Sequence, residues 1–565
     1  MTFLPPPPIL GPLATGLRCL AAAIAAALVP VALADGGQYG QLPPIGSKNV
    51  SIADPLVARP STTPCTVTLF AGLQFADYTP KPIDYTPPAA CPAPWSKVVL
   101  DVDLAVSAGV QYDRTGTIWL GGLNVWFGTT AEPSPSLAPS WHVERDLTDY
   151  SALLASALSG DVYIGNTVNE TYDGVISGSA TLEFYPVSSA DPAPTVPDQV
   201  IPFGAAPGGT TDLNGPTDTL SLTTTLPQNI TGAYLDVIAE SQYTDEFWWS
   251  CLPDSDAAIT GDCPGSAFRE VEVTLDGTPA GVAPIYPWVF TGGVQPNLWI
   301  PTPGVQTLNF VPYRVDLTPF AGILDDGAEH SIALSVVNAH PYWSTTAALL
   351  LYLDPGGATV TGAVASNTLS APDPQVTGSI GNDGTGTVTV TSNRDYSISG
   401  YVDTSTGRVT TTITPSLGFT STTTYATTSN ETIDRTATVT GTTTTAVEGG
   451  STAVSTLDLA YPFSFVYATG PLSIDFDQTY QFGIDETRDG VPAYGSLTSN
   501  HVATHYQGAA ASRHGDQEYQ YTDTNGGCYD RDITSTANAL ASVTDNVLCI
   551  PLETIFEDGF DPPPP

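Results

Sequence analysis

The run Gln111-Tyr112-Asp113-Arg114, followed by Ile118-Trp119-Leu120-Gly121-Gly122, joins an acid, a base and two aromatics to an apolar alternation. A carboxylate presented beside a guanidinium where a strand opens can orient or deprotonate a water. The same pair on an open surface is only a solvated ion pair of little energetic weight. More residues of the same chemical type follow: Thr130-Ala131-Glu132-Pro133, Trp141, Asp245-Glu246-Phe247-Trp248-Trp249, Arg269-Glu270-Val271-Glu272-Val273, Phe290-Thr291-Gly292-Gly293, Trp299 and Val315-Asp316-Leu317-Thr318-Pro319-Phe320. Paired carboxylates carry general acid–base work, and aromatic faces stack on sugar rings whose hydroxyls are taken by charged groups. The candidates are Asp113, Arg114, Trp119, Trp126, Glu132 and Trp141 from an earlier part of the chain, and Asp245, Glu246, Trp248, Trp249, Arg269 and Glu270 from a later one. For each tryptophan, core packing is the competing reading. On a strand, Trp248 and Trp249 would point to opposite faces, one into a core and one toward a ligand.

Strands are the elements that must hold these groups. Lys97 to Leu104, Gly178 to Tyr185 and Glu270 to Leu275 alternate apolar and polar residues with the period of two of half-buried strands, separated by Gly, Pro, Asn and Asp. This predicts an all-β protein built of β-sandwiches. The one helix predicted is short, Leu147 to Leu158, with Thr148, Asp149 and Ser151 as capping residues. Ser188 to Thr217 is rich in Pro, Gly, Ala and Asp and reads as a linker between a first β-domain at 60–187 and a second at 218–355. A cleft at their shared edge is the expected site. Beyond Gly357 the chain turns Thr-, Ser- and Gly-rich, and because Thr forms strands a β C-terminal domain is expected at 358–550. No candidate site residue lies there, so deletion after Gly357 is expected to weaken stability and leave the chemistry.

Composition narrows the function. Residues 1–34, with Arg18, an apolar Ala-rich run and Ala32-Leu33-Ala34, have the layout of a secretory signal, so a soluble, periplasmic or secreted protein is expected. The six cysteines outside that segment fall into local pairs, 65 with 91, 251 with 263 and 528 with 549; neighbour pairing of Cys65, Cys91, Cys251, Cys263, Cys528 and Cys549 as disulfides suits export. None has zinc-site spacing, and neither metal nor cofactor is implied. With 57 acidic against 15 basic residues and a net charge of −42, nucleic acid and anionic membranes are poor partners. Such a charge suits mildly acidic surroundings or a halophilic surface, and composition does not separate the two.

Taken in order and at these spacings, the quoted motifs, together with Cys528-Tyr529-Asp530-Arg531, resemble the acidic, plant-type peptide-N-glycanases (PNGase A type) from about Cys65 to Cys549. Tyr112-Asp113-Arg114 is also similar to the aromatic-Asp-Arg triplet of the bacterial neutral peptide-N-glycanases. The resemblance implies two tandem antiparallel jelly rolls, N-glycosylated proteins or glycopeptides as substrate, a monomer, and hydrolysis of the glycan–asparagine amide. It casts Asp113 as the main catalytic carboxylate. The neutral enzymes add two assisting glutamates, whose positions fall near Asn166 and Gly265 here, neither acidic. Glu246 is the expected replacement, with bonding to Arg269 as its structural alternative. Arg114 or Arg269 would hold Asp113 ionised or stabilise an oxyanion. The tryptophans, with Glu132, Asn166, Asp245 and Glu270, would bind the sugar. An endo-acting glycosidase on the chitobiose core and a non-catalytic glycan-binding protein are the alternatives.

Overall fold

The computed structural model describes residues 41–545 apart from 429, 468–471, 489–490, 509–512 and 524–527. The expected signal segment and Cys549 therefore lie outside the described residues. The chain is all-β, in antiparallel sheets. One sheet runs Cys65–Phe75, Ile176–Pro186, Trp95–Val106, Ser140–Asp146, and a second runs Lys81–Tyr85, Leu158–Ile164, Thr115–Leu120, Leu123–Thr129. Val98, Leu100 and Val102 from the first meet Ile118, Leu120, Val125 and Val162 from the second in one buried core. The alternating burial along Ile176–Pro186 is the period-two pattern that the sequence carries.

A second pair of sheets follows. Thr211–Leu213, Trp343–Leu353, Ile230–Ser241 and Tyr313–Asp316 form one, with Gln199–Pro202 also paired to Trp343–Leu353. The other is Leu220–Thr225, Glu329–Val336, Glu270–Leu275, Thr278–Pro284. Two stretches of the expected linker are therefore strands, drawn into pairing with Trp343–Leu353. That strand shows no alternation, because both of its faces are covered. Ala347, Leu349 and Leu351 enter the second core, while Ala348 and Leu350 enter the first.

The predicted helix is reduced to the single turns Thr148–Tyr150 and Ser151–Leu154, since Leu158 already begins a strand paired on both sides. Disulfides join Cys65 to Cys91 and Cys251 to Cys263, as the local pairing predicts.

The Thr-rich region forms one long sheet from Thr361–Asn367 to Ala539–Asp545. Its backbone strand is Gly407–Thr427, which pairs along one edge with Ile398–Thr404 and then Gly386–Asp395 and along the other with Asn430–Val447. Hydroxyls bond across it, as between Thr389 and Thr422 at 3.1 Å and Thr414 and Thr442 at 2.7 Å.

This sheet is part of the second core. Ile398, Ile413, Ile433, Phe463 and Phe465 belong to that core, and Trp249 lies 4.7 Å from the ring of Phe463. Arg435 is buried over the ring of Trp248 at 4.2 Å, and burial pushes its guanidinium down to about 9. Arg394 bonds Glu270 at 2.7 Å and Glu272 at 3.0 Å. Deletion after Gly357 would strip all of these contacts, and each buried aromatic or aliphatic side chain so exposed forfeits about 1.5–3 kcal/mol. The expectation that the first 357 residues work alone is thereby revised. The truncated protein is expected to be insoluble or to lack a cooperative thermal transition, read by differential scanning calorimetry; a sharp transition near that of the full chain would contradict this.

Candidate functional site

Gln111 anchors the turn ahead of Thr115–Leu120. Its side-chain amide donates to the carbonyls of Thr167 (2.9 Å) and Gly174 (3.1 Å), and its oxygen accepts from Arg114 Nη2 at 2.9 Å. The backbone of Arg114 is locked to Thr130 in both directions. Asp113, between these fixed neighbours, projects half-buried toward a loop of the second sandwich, where its Oδ2 accepts the N–H of Gly292 at 3.0 Å. Thr291 Oγ1 donates to the Thr130 carbonyl at 2.8 Å, which seats that loop on the first sandwich.

Gly292 is where the site closes. A Cβ there would lie 2.3 Å from Asp113 Oδ1 and 2.6 Å from Glu132 Oε2. The two carboxyl oxygens thus approach one point, within about 5 Å of each other. Glu132 Oε2 is buried and has no hydrogen-bond partner among the described residues.

Electrostatics follow from this crowding. Burial raises Asp113 above its ordinary value, against the pull of the Gly292 N–H and of Arg114. Burial, then the charge of Asp113, pushes Glu132 up to about 8, and the same two causes push Glu246 up to about 7. Glu240, fully buried at the end of Ile230–Ser241, is raised well above the carboxylate range by burial and by Glu246, Asp212 and Asp113. Its Oε1 accepts from Gln242 Nε2 at 2.6 Å. Carboxyl groups this close in a poorly solvated pocket do not all ionise together, so the cluster holds protons at neutral pH.

The adjoining cleft, about 560 Å³, is lined by Asp113, Arg114, Trp119, Asp161, Asp212 and Gln242 among others. A hollow of about 610 Å³ lies against the C-terminal sheet, but Asp316 is the one carboxylate in its lining, so it offers no acid–base pair. Asp101, Asp103 and His142 come within metal-binding reach of one another away from this cleft, with His142 already bonded to Asp103 and Glu144.

Of the sequence candidates, Asp113, Arg114 and Trp119 line this cleft, Glu132 meets Asp113 beside it at Gly292, and Glu246 is near enough for the charge of Asp113 to raise it. Trp119 is covered by the loop at Gly208, whose φ of +132° and missing side chain let the backbone lie on the indole. The others are elsewhere. Trp126 is in the first core, its Nε1 donating to the Leu308 carbonyl at 3.1 Å, and Trp141 is in the same core. Trp248 and Trp249 sit in a single turn, Trp248–Ser250, and not on a strand, so the opposite-faces expectation fails and both are buried. Asn166 is enclosed, donating to the Phe75 carbonyl. Glu270 is taken by Arg394.

Arg269 and Asp245 form a fully buried two-pronged ion pair, 3.0 and 3.1 Å, in which Asp245 also accepts from the His340 N–H (2.9 Å) and Trp343 Nε1 (2.8 Å). This knot ties the loop carrying Glu246 to the end of Trp343–Leu353. Removing one member of such a buried pair costs about 3–5 kcal/mol. Glu240, Asp212, Gln242, Tyr78, Tyr163 and Tyr342 were not among the candidates. The one usable signal was Glu240, an acid set into the otherwise apolar run Val237-Ile238-Ala239.

Fold and site together define a paired-sandwich protein with a carboxyl cluster at the junction of its sandwiches. The chain belongs to the family described as peptide N-acetyl-beta-D-glucosaminyl asparaginase amidase A, which matches residues 55–370. It is 31% identical over 374 residues to the peptide-N4-(N-acetyl-beta-glucosaminyl)asparagine amidase A of Prunus dulcis, across 62% of this chain and 65% of that one. The chain thus spans about 65% of the length of this curated relative. Among solved structures, PNGase F, a glycosylasparaginase from Flavobacterium meningosepticum, is similar at 12% identity and a TM-score of 0.34, covering 52% of this chain and 96% of its own. PNGF-II is similar at 13% identity and the same TM-score, covering 51% and 66%. Superpositions this loose carry no weight for the site.

Gly292→Ala tests the junction. Its Cβ must push Asp113 and Glu132 apart, and displacement of reacting groups by about 1 Å costs on the order of 100-fold in rate. The expected result is a variant that melts cooperatively with kcat reduced by that order; an unimpaired kcat would show that the two carboxyls need not converge.

Proposed function

We propose that the protein hydrolyses the amide linking an N-glycan to asparagine, releasing the glycan as a glycosylamine and leaving aspartate in the peptide. The observation that carries this reading is the convergence of Asp113 and Glu132 at Gly292, with Asp113 also lining a cleft rich in polar groups. Family membership supports the substrate class.

Amide hydrolysis needs an activated water, support for the carbonyl oxygen as it becomes an oxyanion, and a proton for the leaving nitrogen. Asp113, kept nearer ionisation by the Gly292 N–H and by Arg114, is the group to orient and deprotonate the water. Glu132, holding its proton to about 8, is the nearest acid to return one to the nitrogen, and Glu246, at about 7, is the second. Arg114 supplies positive charge beside the developing oxyanion. Arg269, enclosed with Asp245, acts by holding the Glu246 loop in place. Bonds balance simply: the C–N bond breaks, water adds OH to the carbonyl carbon and H to nitrogen.

Mass spectrometry of a digested glycopeptide separates the alternatives. The amidase gives a sugar-free peptide with Asn converted to Asp; an endoglycosidase leaves one sugar on Asn, and a binding protein leaves the glycopeptide intact. Asp113→Asn is expected to lower the conversion at least about 100-fold with the fold retained, and a variant near wild-type activity would remove Asp113 from the mechanism.

The pH dependence follows in sign. Glu132 and Glu246 have raised values, so their protonated forms, and the stability linked to them, are complete below the ordinary carboxylate range and are lost as pH rises through about 7 to 8. Activity is expected to fall along that alkaline limb, and Glu132→Gln, which carries no transferable proton, should lower kcat and alter the limb. An alkaline limb unchanged in Glu132→Gln would exclude Glu132 as the acid.

A further inference from the structure

Four large aromatic side chains stay exposed among the described residues: Tyr78, Tyr112, Tyr243 and Tyr467. Three of the four line the Asp113 cleft or are chain neighbours of residues that do. Tyr78 lines it, Tyr112 precedes Asp113, and Tyr243 follows Gln242, another lining residue. A soluble surface has no energetic reason to gather exposed rings at one place.

Tyr243 carries the strongest signal. It is 74% exposed, and its φ of +54° is in the left-handed region that bulky residues rarely adopt. That conformation is enforced from both sides. Gln242 N donates to the Tyr342 carbonyl at 2.9 Å, Tyr342 N returns a bond at 3.3 Å, and Thr244 N donates to the Pro341 carbonyl at 3.0 Å. Two residues on, Asp245 is fixed by Arg269, His340 and Trp343. A rigid frame thus holds a strained residue so that its ring stands in solvent, an arrangement that stability alone would select against.

We propose that Tyr243 is a sugar-stacking residue, with Tyr78 and Tyr112 completing an aromatic rim around the cleft that takes the pyranose faces of the glycan. The proposal rests on the amidase reading for its choice of sugar. Ring C–H faces pack on exposed phenols while Asp161, Asp212 and Gln242 below offer partners for hydroxyls. An extended peptide would instead need a free strand edge. The neighbouring edge strand Leu123–Thr129 is already capped by backbone bonds from Thr129 N to the Thr307 carbonyl and from Phe310 N to the Phe127 carbonyl.

The test is calorimetric titration of the full chain with a free N-glycan core oligosaccharide, which has no amide to cleave, and with the matching sugar-free peptide. Tyr243→Ala should weaken oligosaccharide binding about threefold to tenfold, Tyr243→Trp should restore it, and peptide binding should not respond. Tyr243→Gly, free of the backbone strain, should bind as weakly as Ala yet melt at or above the wild-type temperature. No measurable binding of the oligosaccharide by the wild type, unchanged binding by a folded Tyr243→Ala, or a loss that Trp does not restore would overturn the proposal. The two readings fail separately: sugar binding that depends on Tyr243 without glycopeptide cleavage sinks the amidase and leaves the rim, whereas cleavage with Tyr243-independent binding does the reverse.

Discussion

The strand Trp343–Leu353 is apolar on both faces and serves two cores at once, and the site exists because of it. Antiparallel strands commonly keep one face for water. Here Leu349 and Leu351 fill the second sandwich while Leu350 and Ala348 close the first. The sandwiches are therefore fixed to each other by packed side chains, with burial of one leucine contributing about 1.5–3 kcal/mol. Only such a fixed junction can bring Asp113 of one sandwich against Gly292 of the other at hydrogen-bond length.

The same strand begins at the Asp245 knot, so the rigidity of the interface reaches the loop that carries Tyr243 and Glu246. An enclosed Asp–Arg pair contributes little net stability compared with apolar residues of the same shape. Its effect is geometric: two prongs to Arg269, one bond to a backbone N–H and one to an indole fix the loop in all directions. Against this frame, the carboxyl cluster is a local liability. Four acids desolvated together are tolerated because most remain protonated, and that same condition supplies proton donors beside a base.

The all-β class was legible because Ile176–Pro186 and Glu329–Val336 bury every second residue. Asp113, Arg114 and Glu132 were legible as charged candidates beside short strand motifs, but Glu132 was expected to bind sugar, with Glu246 as the assisting acid. The tryptophans were not, because residue type does not say which side of a strand or turn faces the core. Trp248-Trp249 would have split between two faces on a strand, but the chain turns there and buries both. Trp343–Leu353 carries no period because it has no polar face, and Gln199–Pro202 looks like linker by composition although its backbone is paired. The coupling of Arg269 to Asp245, 24 residues apart, and of Arg394 to Glu270, 124 apart, depends on tertiary contacts that no local pattern records. The tyrosine rim was hidden for the same reason, since exposure is a property of the folded surface.

The central claim is that Asp113 and Glu132 form one coupled acid–base unit across Gly292. Site-resolved NMR titration of the Glu132 side-chain carboxyl, in the wild type and in Asp113→Asn, tests it most directly. The account predicts that Glu132 keeps its proton to about 8 in the wild type and ionises at lower pH once the charge of Asp113 is removed. Ionisation of Glu132 in the ordinary carboxylate range, indifferent to Asp113→Asn, would contradict it.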